Sequence, residues 1–190
     1  MEITPHDALI VVDMQNDFCQ GGALPAPGGE QAVHALNKLV TRFDTVAYSR
    51  DWHPQDHCSF SDTPEFRDKS WPVHCVQHTP GAEFHGDLIV PLDAQIFSKG
   101  TDPDKEAYDA FQAEEDLAAF LRDRQVRRVF VGGLATDYCV KSTALSALRE
   151  GFETWLVEDG CRGVAPESTA AAFEEMQQAG IKRCRSGEIA

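Results

Sequence analysis

The chain has 190 residues, 42 % of them hydrophobic and 25 % charged, and a formal net charge of −14. These proportions fit one globular domain spanning 1–190. The negative field excludes nucleic acid as a partner, since a polyanion needs a basic surface, and no apolar run is long enough for a membrane span. The opening residues, Met1-Glu2-Ile3-Thr4-Pro5-His6-Asp7, lack the basic-then-apolar layout of a signal peptide, so a cytoplasmic location is expected.

The elements follow from periodicity. Residues 8–13 form a nearly continuous apolar run, as expected of a strand buried on both faces. Val33, Leu36, Leu39, Val40 and Phe43 recur at helical spacing within 31–43, and a second strand follows at 45–49. Residues 50–93 are rich in Pro, Gly, His and Asp and read as a long functional loop. Beyond it come a strand at 95–98, a helix at 114–124 and a strand at 128–133. Then follow a helix at 137–149 closed by Gly151, a strand at 154–158, a helix at 166–179 closed by Gly180, and a short strand at 181–184. Arg122, Arg124, Arg127 and Arg128 gather at a predicted helix end, where cations favour the dipole, and are read as structural. Alternating strands and helices predict a three-layer α/β/α fold around a parallel, roughly six-stranded, Rossmann-like sheet.

In open parallel sheets, ligands bind beyond the carboxyl ends of the strands. Asp13 lies at the end of the first strand, Asp51 and His53 after the second, Lys99 after the third, and Cys139 after the fourth. Each has a bland alternative: Cys139 as a small buried apolar residue, Asp13 as a polar strand end, Lys99 as a solvated lysine. Their convergence on one rim favours chemistry instead. A cysteine at a helix start beside a cation is activated toward the thiolate, with Asp13 as base and Lys99 as countercharge. The chain has six irregularly spaced cysteines and no C-x-x-C pair, which favours free thiols over a disulfide framework. Four of its seven histidines lie between His53 and His78. Asp51, His53, His57 and His74 there form an imidazole–carboxylate set suited to Zn, Fe, Mn or Ni, with a polar loop as the alternative. His78 and His85 compete as ligands, whereas His6 and His34 read as surface residues.

In order along 8–145, these segments resemble the nicotinamidase/pyrazinamidase branch of the isochorismatase-like hydrolases. The matching pieces are Val11-Val12-Asp13-Met14-Gln15-Asn16-Asp17-Phe18, Arg50-Asp51-Trp52-His53, Trp71-Pro72-Val73-His74-Cys75, Thr79-Pro80-Gly81-Ala82-Glu83-Phe84, Lys99-Gly100-Thr101-Asp102 and Gly133-Leu134-Ala135-Thr136-Asp137-Tyr138-Cys139-Val140. The resemblance implies hydrolysis of nicotinamide to nicotinate and ammonia, and activity on pyrazinamide, through a thioester on Cys139. It implies a catalytic triad of Asp13, Lys99 and Cys139, and a cis peptide between Leu134 and Ala135. Ala135 and Cys139 would supply oxyanion N–H groups.

It further implies one divalent metal ion, zinc first and iron or manganese next, on Asp51, His53 and His74. His57 matches a position that is a further ligand in some members. Phe18, Leu24, Trp71, Tyr108 and Tyr138 are the candidate walls around the substrate ring, and a homo-oligomer is left open. Gln77-His78 departs from the family pattern before Thr79 and places another imidazole near the metal residues. Two other readings stand beside this one: a different hydrolase of the superfamily, and a non-catalytic ligand-binding domain on the same fold. A dinucleotide-binding domain is disfavoured, because no G-x-G-x-x-G follows the first strand.

Overall fold

A computed structural model describes residues 1–66 and 70–190; residues 67–69, within the long loop read from the sequence, lie outside the described residues. Six strands form one parallel sheet: β1 (Asp7–Val12), β2 (Thr45–Asp51), β3 (Gln95–Lys99), β4 (Arg128–Leu134), β5 (Glu153–Arg162) and β6 (Lys182–Cys184). Their order is β3-β2-β1-β4-β5-β6, every pairing parallel, as the sequence predicts. Successive strands are added outward from β1 in one direction up to β3 and in the other from β4, so β1 and β4 mark the switch point at which such sheets bind ligands.

All six residues of β1 are buried. Ala8, Ile10 and Val12 join one apolar cluster and Leu9 and Val11 the other, the period-2 alternation of a strand covered on both faces. The helices divide unequally. Helix α1 (Glu30–Val40) packs Val33, Leu36 and Leu39 onto the Leu9/Val11 face. The opposite face carries α2 (Leu117–Asp123), α3 (Lys141–Arg149) and α4 (Pro166–Ala179), through Leu117, Leu121, Ala144, Ala147, Ala172 and Met176. Burying side chains of the Leu class contributes about 1.5–3 kcal/mol each.

Several ends differ from the periodicity. Helix α2 starts only at Leu117 because Asp116 caps it, accepting the Ala119 N–H at 2.9 Å. Strand β5 runs four residues past its predicted end, through an irregularity opposite Val131–Gly133. The helix expected from 137 is opened by a π-helical turn at Thr136–Val140, where the Ala135 carbonyl accepts the N–H groups of both Tyr138 and Val140. Of the arginines read as structural, Arg128 pairs with Asp7 at 2.6 Å, Arg122 pairs with Glu150 at 2.5 Å, and Arg124 stacks 3.9 Å over Phe120. No helix among the described residues is long and apolar enough to cross a membrane.

Candidate active site

Strand ends bring the predicted groups together. The chain leaves β1 with Asp13 in the left-handed region (φ +47°), its N–H donating to the Ser49 carbonyl at 3.1 Å. The Ser49 hydroxyl donates to Asp13 Oδ1 at 2.6 Å, and Lys99 Nζ stands 2.8 Å from Asp13 Oδ2. Lys99 is 1 % exposed. Its ammonium also reaches Asp51 Oδ1, Cys139 Sγ at 3.4 Å and the Ala107 carbonyl at 3.4 Å. An oxygen of Asp13, an oxygen of Asp51 and Cys139 Sγ all lie within 4.8 Å of one another.

Close approach of β1 and β4 makes this possible. Gly133 (φ +137°) leaves no room for a side chain, since a Cβ there would stand 1.9 Å from the Val12 carbonyl oxygen. The peptide between Leu134 and Ala135 is cis, as the resemblance implies.

The electrostatics suit proton transfer. Burial pushes the Cys139 thiol well up, against the pull of Lys99, so it rests protonated. Burial also raises Asp13, opposed by Lys99 and reinforced by Asp51. A carboxylate in that position accepts a proton more readily than an exposed one. Burial would discharge Lys99, but the two carboxylates outweigh it and hold the ammonium charged. For Asp51, burial is overcome by Lys99 and then His53, which keep this carboxyl well below the usual carboxylate range.

Asp51, His53 and His74 form a second group, with one ligand atom from each mutually within 4.8 Å. His53 Nδ1 lies 2.9 Å from the Gly100 carbonyl, and His74 Nδ1 lies 2.8 Å from the Pro72 carbonyl. Each ring therefore keeps its Nδ1 proton and turns Nε2 toward Asp51 Oδ2, at 3.7 and 4.0 Å. Burial lowers His74 to about 4, which leaves a neutral imidazole. Burial works to lower His53, but Asp51 outweighs it and raises this imidazole, so a cation entering here would replace the His53 Nε2 proton; two imidazoles and one ionised carboxylate then fit a divalent cation with open positions.

His57 is not brought into this group. Its Nδ1 is 2.7 Å from the Ser59 hydroxyl and its Nε2 is 3.0 Å from the Lys105 carbonyl, so both nitrogens are engaged by the protein, although its ring lies 4.2 Å from that of His53. Ligation by His57, as the resemblance implies for some members, would require its Nε2 to leave the Lys105 carbonyl. His78 packs edge-on against Trp52, and His85 accepts the Asp87 N–H, so neither joins the three ligand candidates. His34 is exposed, whereas His6 is half-buried and holds the Gln125 carbonyl at 2.9 Å.

A small, partly enclosed cavity opens beside both groups. Phe18, Leu24, Trp71, Tyr108 and Tyr138 all line it, with Asp51, His74, Ala135 and Cys139. Trp71 meets Tyr138 edge-on at 4.9 Å and donates its indole N–H to the Tyr108 hydroxyl at 2.9 Å. These side chains set an apolar, aromatic-lined slot beside the polar groups, a lining suited to a small aromatic ligand.

Sequence reasoning passed over several positioning residues. Gln15 is fully buried and stitches the rim: it donates to the carbonyls of Asp51 and Ala82 at 2.8 and 2.9 Å and accepts the Asp51 N–H at 2.8 Å. Asp17 accepts the Cys75 N–H at 2.7 Å, next to His74. Both stand in the Asp13–Phe18 motif, where polar residues after a buried strand were the available signal. Ser49 and Glu106 carried no such signal.

The isochorismatase domain matches residues 7–187. The nicotinamidase of Escherichia coli is 42 % identical over 93 % of both chains. Among solved structures, the pyrazinamidase of Pyrococcus horikoshii in complex with zinc is 48 % identical, covering 95 % of this chain and 99 % of its own, with a TM-score of 0.87. The PnC1 protein of L. infantum in complex with nicotinate is 33 % identical, covering 100 % and 98 %, with a TM-score of 0.91. The chain thus belongs to the isochorismatase family, in its nicotinamidase/pyrazinamidase branch.

Proposed function

We propose that this chain is a nicotinamidase: it hydrolyses nicotinamide to nicotinate and ammonia, and pyrazinamide in the same way, with Cys139 as nucleophile. The observation that carries this reading is the position of Lys99 Nζ, 2.8 Å from Asp13 and 3.4 Å from Cys139 Sγ at the wall of an aromatic slot. Near-full-length identity to nicotinamidases supports the substrate.

Asp13 takes the Cys139 proton, and Lys99 balances the thiolate that forms. The thiolate attacks the carboxamide carbon. The N–H groups of Ala135 and Cys139 receive the developing oxyanion, where loss of one donor typically costs about 3 kcal/mol. Asp13 passes its proton to the departing nitrogen, ammonia leaves, and an acyl thioester remains. Asp13, again ionised, takes a proton from the attacking water. The C–S bond breaks, nicotinate is released, and the proton returns to sulfur. Phe18, Leu24, Trp71, Tyr108 and Tyr138 hold the ring.

Asp51, His53 and His74 would hold one divalent cation, zinc by their donor chemistry, with iron or manganese also accommodated. When bound, it supplies a positive charge and Lewis acidity at that end of the slot. The chain is read as a single hydrolase domain, and its six free cysteines support a reducing, cytoplasmic setting.

The decisive experiment is ammonia release from nicotinamide by the unsubstituted chain and by Cys139→Ala. Turnover in the first and a fall of at least about 10³-fold in the second are expected, with unchanged melting temperature. Retained turnover in Cys139→Ala would refute the nucleophile assignment, and no ammonia from the unsubstituted chain would refute the activity.

A further inference from the structure

Glu106 lines the same cavity as Asp51, His74 and Cys139, yet the mechanism above gives it no task. Its Oε1 accepts the Ala107 N–H at 3.2 Å. Its Oε2 is enclosed and has no hydrogen-bond partner among the described residues. A carboxylate oxygen shut away from water is destabilising unless a proton donor or positive charge meets it. The Tyr108 hydroxyl is a close neighbour, but it does not reach Oε2 in hydrogen-bonding geometry. The charged groups that act most strongly on Glu106 lie on the cation side of the slot: Asp51, His53, then Lys99.

The segment is tied down on both sides of this residue. The Pro103 carbonyl accepts the Cys58 N–H at 2.7 Å, the Lys105 carbonyl holds His57 Nε2 at 3.0 Å, and the Ala107 carbonyl receives Lys99 Nζ at 3.4 Å. The placement of the carboxylate is therefore built into the rim. The contact that engages His57 Nε2 is also one that anchors Glu106.

We propose that Glu106 is a positioning residue for the cation site of Asp51, His53 and His74: its unpartnered oxygen faces the open side of that site and accepts a hydrogen bond from water held there. This rests on the reading of those three residues as a cation site. Glu106 stands outside the group whose ligand atoms lie within 4.8 Å, which argues for contact through water over direct ligation. Charge balance points the same way. Asp51 and two neutral imidazoles bring one negative charge to a cation carrying two, and Glu106 brings the second.

The test is zinc affinity, measured by competition with a chromophoric chelator, together with the melting temperature with and without Zn²⁺. The proteins are the unsubstituted chain, Glu106→Gln and Glu106→Asp. Glu106→Gln is expected to weaken zinc binding by about 10–100-fold, and the shorter charged Glu106→Asp to retain part of it. The metal-free melting temperature of Glu106→Gln should be unchanged or higher, because an uncompensated buried charge is gone, and its rise on adding zinc should shrink.

Unaltered zinc affinity in Glu106→Gln overturns the assignment. If affinity stays intact while the metal-free melting temperature falls, the carboxylate is structural. If affinity stays intact while KM for nicotinamide rises, the partner is substrate. Both outcomes also overturn it. An unsubstituted chain that takes up no zinc removes the cation site itself, a failure seen in that chain's own titration and separate from that of Glu106.

Discussion

Gly100 and His53 are locked together at the cation site. The Gly100 carbonyl holds His53 Nδ1 at 2.9 Å, and a Cβ on Gly100 would stand 2.4 Å from His53 Cε1. The glycine thus sets both the tautomer of the ring and its position, from a backbone angle (φ +64°) that side chains rarely adopt.

Gly100→Ala should therefore displace His53 even though it touches no reacting atom. The expected outcome is zinc affinity lowered by about tenfold or more, with a stability loss of about 1–2 kcal/mol from the left-handed backbone. Chelator competition and urea unfolding measure the two effects separately. Native zinc affinity in this variant would mean that the ring is held by its other contacts.

Ser49 is the partner of Asp13 on the side away from Lys99, through a buried hydrogen bond of 2.6 Å. Removing it in Ser49→Ala leaves Lys99 as the charged group that steers the base. A fall in kcat of about tenfold, with KM little changed and stability lowered by about 1–2 kcal/mol, is expected. Steady-state ammonia release on a correctly folded variant decides the matter. A kcat equal to that of the unsubstituted chain would show that Lys99 suffices to orient Asp13.

Asp7 gives the fold an acid-sensitive joint between β1 and β4. It is 2 % exposed, and Arg128 Nε and Nη2 donate to its two oxygens at 2.7 and 2.6 Å. Burial works to raise this carboxyl, but the Arg128 hydrogen bonds and then those from Thr4 outweigh it, so its folded pKa lies below the ordinary 3.8. A depressed folded pKa means that the stabilisation is complete above the unfolded value and is lost as pH falls through the folded one. Asp7→Asn should cost about 1–3 kcal/mol near neutral pH, with the gap to the unsubstituted chain closing in strong acid. Urea midpoints at several pH values test this; a gap independent of pH would exclude the ion pair as its cause.

The sheet was legible because a strand covered on both faces must be apolar throughout, as β1 is, and because each helix shows one apolar stripe. Element ends were less legible. The start of α2 depends on the Asp116 cap, and the π-helical turn before α3 depends on the Ala135 carbonyl accepting two N–H groups, and neither alters hydrophobic periodicity. The rim residues Asp13, Asp51, Lys99 and Cys139 were found because they end or follow strands. Ser49 was missed because a serine inside a strand looks like any other, and its value comes from facing Asp13 across the β1–β2 pairing. His57 shows a related limit: spacing and residue type fit a ligand, and no sequence pattern reveals that its second nitrogen meets the Lys105 carbonyl, 48 residues away.

The strand order explains why the ammonium comes from β3 and the short side chains come from strands nearer the middle. Neighbouring strands are about 4.8 Å apart, so a group on β3 starts roughly two strand spacings from β1 and three from β4. A lysine is long enough to cross β2 and meet an aspartate that follows β1 and a sulfur presented by the turn after β4. Side-chain reach is thus graded along the sheet. An ornithine or diaminobutyrate substituted for this lysine would stop over its immediate neighbour, close to Asp51, and leave sulfur and base without their shared counterion.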